Sequence, residues 1–83
     1  MSELDRIRWR CRRGMLELDL VLSAFGERYL EALDATRLAS LQALLERPDP
    51  ELLDYVLGQG EPADAGEREL VALMRGLNRS IAV

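Results

Sequence analysis

The fold turns on the stretch Arg12-Arg13-Gly14-Met15-Leu16-Glu17-Leu18-Asp19, where a basic segment gives way to an acidic one. An arginine-rich helix ends here. Gly14 supplies the backbone freedom to leave that helix. Glu17 and Asp19 fall in the first turn of the next helix, where the positive end of the helix dipole favours carboxylates. Arg13, Gly14 and Glu17 together spell R-G-x-x-E. Two readings stand at this point: a helix corner and nothing more, or a corner that doubles as a docking surface.

Upstream, Ser2 caps a first helix with Glu3 and Asp5 in its first turn, and the pattern carries that helix to about Arg13. At about 100° per residue, Leu4, Ile7 and Cys11 share one side, which is the core face. Cys11 in that position reads as a small core residue rather than a reactive thiol. Arg6, Arg10 and Arg13 cluster on another side, with Trp9 next to Arg13. Trp9 admits two placements, either packed over the core edge under arginine stems or exposed as an interface anchor.

Downstream, a second helix is predicted from about Met15 to Leu33, with Leu18, Val21, Leu22, Phe25 and Tyr29 on one buried stripe. Leu16 and Leu20 point nearly the opposite way. A central helix touching neighbours on both sides explains them, and so does an exposed apolar patch beside Glu17. Asp34 caps a third helix running from Ala35 to about Glu46, whose Leu38, Leu41, Leu44 and Leu45 recur at helical spacing. Arg47-Pro48-Asp49-Pro50 breaks the chain. Asp49 is the expected cap and Pro50 the first residue of a short fourth helix, which stops at Gly58. The Gly58–Ala63 linker lacks the ending of a phosphate loop and reads as a structural turn. Asp64 and Glu67 make a capping-box-like pair for a fifth helix buried through Leu70, Val71, Leu73, Met74 and Leu77. Ser80 to Val83 is expected to fray. The prediction is an all-α protein, a compact bundle of five short helices forming one domain over residues 1–83.

The 83-residue chain is 48% hydrophobic and 31% charged, the balance of a folded soluble domain. Its net charge of −4 is unevenly spread. Residues 1–16 carry five arginines against Glu3 and Asp5, a local +3 that leaves −7 for the remainder. Most of the surface would repel phosphate, whereas the basic end suits an acidic protein partner. A single cysteine permits no internal disulfide and points to a reducing compartment. No apolar run is long enough to span a bilayer and no signal peptide is visible, so the expected location is cytoplasmic.

The residue inventory also limits chemistry. Without histidine there is no Ser-His or Cys-His pair and no imidazole ligand, and one cysteine cannot build a zinc or CxxC site. Glu17 and Asp19 stand about 200° apart around a helix and cannot converge as an acid/base pair. No strand-glycine-helix cradle for a dinucleotide appears. Chemistry alone leads to a small helical binding module, not an enzyme.

The run Arg6-Ile7-Arg8-Trp9-Arg10-Cys11-Arg12-Arg13-Gly14-Met15-Leu16-Glu17-Leu18-Asp19 resembles the signature of the SdhE family of FAD assembly factors. So do Asp49-Pro50-Glu51-Leu52-Leu53 followed by an aromatic, and Gly60-Glu61-Pro62-Ala63-Asp64 before the last helix. The one visible departure is Tyr55, where the resemblance leads to tryptophan. The resemblance implies a bacterial five-helix chaperone that promotes covalent attachment of FAD to the flavoprotein subunit of succinate dehydrogenase, and in some bacteria fumarate reductase. It carries the partner-contacting positions onto Arg13, Gly14 and Glu17. The charge and hydropathy pattern adds Trp9, Arg10, Leu16 and Asp19 to the expected partner surface.

On this reading no cofactor is held tightly, because FAD ends on the partner, and the free protein is a monomer that binds neither nucleic acid nor membrane. The alternatives are a small helical DNA-binding regulator using the Arg-rich first helix, and a homo-oligomeric scaffold.

Overall fold

A computed structural model describes residues 2–81. Its elements are α1 (Glu3–Arg10), α2 (Leu16–Tyr29) extended by a 3₁₀ turn (Leu30–Ala32), α3 (Ala35–Leu45), α4 (Asp49–Leu57) and α5 (Ala65–Ile81). No strand occurs among the described residues, so the all-α expectation holds.

Local sequence explains most of the boundaries. Ser2 caps α1 in a reciprocal box with Asp5, whose backbone N–H reaches the serine Oγ at 3.1 Å. The Asp34 carboxylate accepts from the Arg37 N–H at 2.8 Å and starts α3 as predicted. Gly58 ends α4 in the left-handed conformation with φ of 83°, and the Gln59 N–H closes on the Asp54 carbonyl at 2.8 Å.

Several expectations shift. α1 stops at Arg10 with Cys11 as its C-cap, three residues short of Arg13. α2 begins after Met15 and tightens into the 3₁₀ turn at Leu30, so Leu33 is already extended. Pro48, not Asp49, is the N-cap of α4, because the Asp49 carboxylate is engaged elsewhere. The pair at the start of α5 forms only half a capping box. The Asp64 carboxylate accepts from the Glu67 N–H at 2.9 Å, but the Glu67 side chain turns to Arg47 instead of returning. The expected fraying at Ser80 is absent, since α5 continues to Ile81; Ala82 and Val83 lie outside the described residues.

The core contains Ile7, Cys11, Leu18, Val21, Leu22, Phe25, Leu30, Leu41, Leu44, Leu45, Leu52, Tyr55, Val56, Leu70, Val71 and Met74. Each predicted stripe supplies its share. Phe25 is fully buried and stacks at a tilt on Tyr29, with ring centroids 5.3 Å apart. Burying a side chain of that size stabilises the fold by about 1.5–3 kcal/mol.

The helix on which the bundle is assembled is α5, which packs against α2, α3 and α4. The expectation of a central α2 with partners on two sides is therefore corrected. α2 buries one face only, which leaves Leu16 73% and Leu20 46% exposed. The Gly58–Ala63 linker is a structural turn, held by Arg75. This side chain donates to the carbonyls of Tyr55 and Gly60, both at 2.7 Å, and to the Glu61 carboxylate at 3.2 Å.

Candidate functional site: the α1–α2 corner

Between Arg10 and Leu16 the chain leaves one helix and enters another, and three separate contacts hold the bend. Gly14 takes φ of 82°, a left-handed value that costs an L-residue about 1–2 kcal/mol. Met15 offers no side-chain cap to α2. Asp19, in the first turn of α2, reaches back instead. One carboxylate oxygen accepts from the Arg13 N–H at 2.8 Å and the other from the Gly14 N–H at 3.2 Å. Two backbone donors at the bend are thereby satisfied by a single side chain.

Arg13 is the third contact. Its guanidinium runs away from solvent to the α3–α4 junction, where its side chain is only 15% exposed. Nε donates to Asp49 Oδ1 at 2.7 Å. Nη1 donates to the carbonyl of Leu45 at 2.7 Å and of Arg10 at 3.2 Å, and Nη2 to that of Arg47 at 2.7 Å. The last carbonyls of a helix lack intrahelical donors, and a cation is favoured there. At the end of α3 Arg13 satisfies both requirements.

The junction continues as a polar network. Arg47 pairs with Glu67 of α5 at 2.9 Å and with Glu51 at 3.3 Å, and the Tyr55 hydroxyl donates to Glu51 at 2.8 Å. The Glu67 carboxylate, assisted by Glu51, holds the Arg47 guanidinium above its ordinary pKa despite partial desolvation. The hydrogen bond to Glu51, together with burial, likewise pushes the Tyr55 phenol up. Tyr55 thus fills the predicted tryptophan position with its ring packed and its hydroxyl satisfied.

What remains outward-facing at the corner is specific. Glu17 is exposed and pairs with no cation among the described residues. A Cβ built on Gly14 would meet no atom within 4 Å, so the space beside this backbone is open to another molecule. Leu16 projects beside them. Trp9 is 60% exposed, which settles its two placements in favour of the surface, and the Arg12 guanidinium lies 5.2 Å from its ring centroid. Arg10 is exposed, and its carbonyl receives Arg13.

The predicted site residues therefore divide. Trp9, Arg10, Gly14, Leu16 and Glu17 face solvent; Arg13 and Asp19 are committed to the bend. The expected neighbour of Trp9 was Arg13, and the neighbour found is Arg12. α1 ends at Arg10, so Arg13 lies where successive residues no longer turn by 100°.

Beside the corner lies a groove of about 660 Å³ between α1 and α2, with Arg8, Arg12, Leu20, Ser23, Gly26 and Glu27 among its lining. The sequence pattern did not indicate it; its signal there is the cluster of small residues Ser23, Ala24 and Gly26 in the middle of α2. The basic surface is also smaller than composition suggested. Arg13 is turned inward and Arg8 is shared with Asp5 and Glu31, so the footing for a nucleic-acid reading shrinks to Arg6, Arg10 and Arg12. Cys11 is buried, and desolvation raises its thiol pKa in spite of the arginines nearby, which disfavours the thiolate. No cluster of carboxylates and cysteine able to hold a metal exists among the described residues. No helix there is long and apolar enough to cross a membrane.

Comparison with known proteins converges on one family. A family model described as the flavinator of succinate dehydrogenase matches residues 5–78. The FAD assembly factor SdhE of Vibrio parahaemolyticus is 42% identical over 70 residues, covering 84% of this chain and 81% of the relative. Those of Pseudomonas aeruginosa and Coxiella burnetii are 40% and 37% identical over 73 residues, covering 88% of this chain and 87% and 89% of the relatives.

Proposed function

The chain belongs to the family of succinate dehydrogenase flavinators, and we propose that it is an assembly factor that binds the flavoprotein subunit and promotes covalent attachment of FAD to it. The observation that carries the site is the uncovered corner, where Glu17, a carboxylate unpaired among the described residues, follows exposed Leu16 and the open Gly14 along the chain, with Trp9 also exposed on the preceding helix. Such a surface gives a partner a charged contact, a close backbone approach and apolar anchors in one place.

On this reading the factor supplies no catalytic group. It accelerates flavinylation by holding the client in a reactive arrangement, while the bond-forming groups belong to the flavin and the client. FAD is then a substrate of the assembled complex rather than a resident cofactor, and the factor works as a cytoplasmic monomer. Fumarate reductase, whose flavoprotein has the same need, is a second client on this reading.

The test is reconstitution. Apo-flavoprotein, FAD and the factor are mixed, and covalent flavin is followed as fluorescence surviving denaturing electrophoresis. Flavinylation is expected to rise with factor concentration, and the factor alone is expected to purify colourless. A rate independent of the factor would overturn the reading, and so would stoichiometric flavin held tightly by the factor itself.

A further inference from the structure

We propose that Arg13 and Asp49 are positioning residues for the client surface: the carboxylate on α4 fixes the guanidinium, and the guanidinium fixes the bend that presents Gly14 and Glu17. The inference rests on the functional reading above and assigns a role to Asp49 that neither the motif nor the capping pattern gives it.

The geometry is specific to a clamp. Four of the five N–H groups of a guanidinium have acceptors, on Asp49, Leu45, Arg47 and Arg10. A side chain so occupied has little left to offer a partner, although it is the first residue of the R-G-x-x-E motif. Its backbone tells the same story, since the Arg13 N–H is held by Asp19 at 2.8 Å, inside the first turn of α2 that carries Glu17. Arg13 is therefore bound at both ends. Its side chain is anchored on the α3–α4 junction and its main chain on α2. The path from Asp49 to Glu17 is short and continuous, running through Arg13, Asp19 and one helical turn. Arg47 extends it, because the carbonyl that receives Arg13 belongs to the residue whose side chain pairs with Glu67 of α5. The corner is in this way referenced to the central helix of the bundle. The motif combines an inward half, Arg13, with an outward half, Gly14 and Glu17.

A double-mutant cycle on the full-length chain tests this, read as affinity for the apo-flavoprotein subunit of succinate dehydrogenase by titration well below the melting temperature of each variant. Asp49→Ala is expected to weaken binding about tenfold, as for residues coupled through one network. In a Glu17→Ala background the same change should weaken binding by less than about threefold, because the side chain being positioned is gone. Simple loss of folded protein would lower affinity equally in both backgrounds, so equal losses overturn the clamp. An unchanged affinity for Asp49→Ala alone also overturns it. If Glu17→Ala itself leaves affinity unchanged, the underlying assignment of the client surface fails and the clamp with it. Should Asp49→Ala not fold, Asp49→Asn keeps the volume and a neutral acceptor, and the same comparison applies. Arg13→Lys adds a second arm. A lysine retains the charge that a direct client contact would use but cannot reach the carboxylate and three carbonyls together, so binding should fall as it does for Asp49→Ala. Retained affinity in Arg13→Lys would assign Arg13 to the client after all.

Discussion

Arg13 Nε lies 2.7 Å from Asp49 Oδ1, so a residue at the α1–α2 corner is bonded to the first turn of α4, 36 positions along the chain. The pair is only partly exposed, and the same guanidinium also serves the carbonyl of Leu45 at the end of α3 and that of Arg47 just beyond it. Removing it strands a carboxylate and carbonyls that have no other side-chain donor. Arg13→Ala is expected to destabilise the fold by about 2–4 kcal/mol, somewhat below the cost of breaking a fully buried pair. In a domain of this size that lowers the melting temperature by at least roughly 8 °C. Thermal melts followed by circular dichroism check it, and a change under about 2 °C would show that the clamp carries no stability.

The bundle was legible in the sequence because its helices are amphipathic and its caps are local. Ser2, Asp34 and Gly58 each act within a few residues of their own position. What escaped was non-local. Asp49 looks like a cap in Asp49-Pro50, and only the fold shows that an arginine far away has claimed its carboxylate. Glu67 fits a capping box until Arg47 draws it across to the α3–α4 junction. The exposure of Leu16 and Leu20 was one of two readings of a single pattern, decided by α5 rather than α2 lying at the centre. For the site, the outward residues Gly14 and Glu17 were readable. The inward turn of Arg13 was not, because periodicity says nothing about a side chain beyond the end of its helix.

Cys11 gives a prediction in pH. Burial raises its thiol above the ordinary value, so the folded state holds the proton longer than the unfolded state does. Stability from this group is fully present below the unfolded pKa, about 8.5, and is lost as pH rises through the higher folded value. At pH 8 the thiol should react with an aromatic disulfide reagent only as fast as the protein opens, and reducing agent should not alter the melt. Alkaline destabilisation should be smaller in Cys11→Ala than in the parent. Rapid stoichiometric labelling of the native protein would contradict the burial.

Gly14 separates strain from access. Its φ of 82° penalises any other residue, but no neighbouring atom would clash with a Cβ. Gly14→Ala should therefore cost only about 1–2 kcal/mol, and Gly14→Asn less, since asparagine tolerates the left-handed region. Client affinity should fall for both, and should not recover in Gly14→Asn, because either side chain fills the open space beside the backbone. Recovery of affinity in step with stability would mean that the glycine serves the bend alone.

Glu17 is the sharpest probe of the surface. Leu18 and Phe25 are fully buried, which turns α2 so that Glu17 faces solvent with no internal cation. Its one contribution to folding is a carboxylate in the first turn of a helix, so Glu17→Ala should change stability by no more than about 0.5–1 kcal/mol. In the complex its loss leaves a desolvated charge without its partner, which typically costs about 2–5 kcal/mol. The lower end of that range already weakens binding by roughly thirtyfold. With the factor limiting, covalent flavin on the client should drop accordingly, while thermal melts of the variant stay close to the parent. Full flavinylation by a variant that melts like the parent would remove Glu17 from the functional surface and leave the motif as a helix corner held by Asp19 and Arg13.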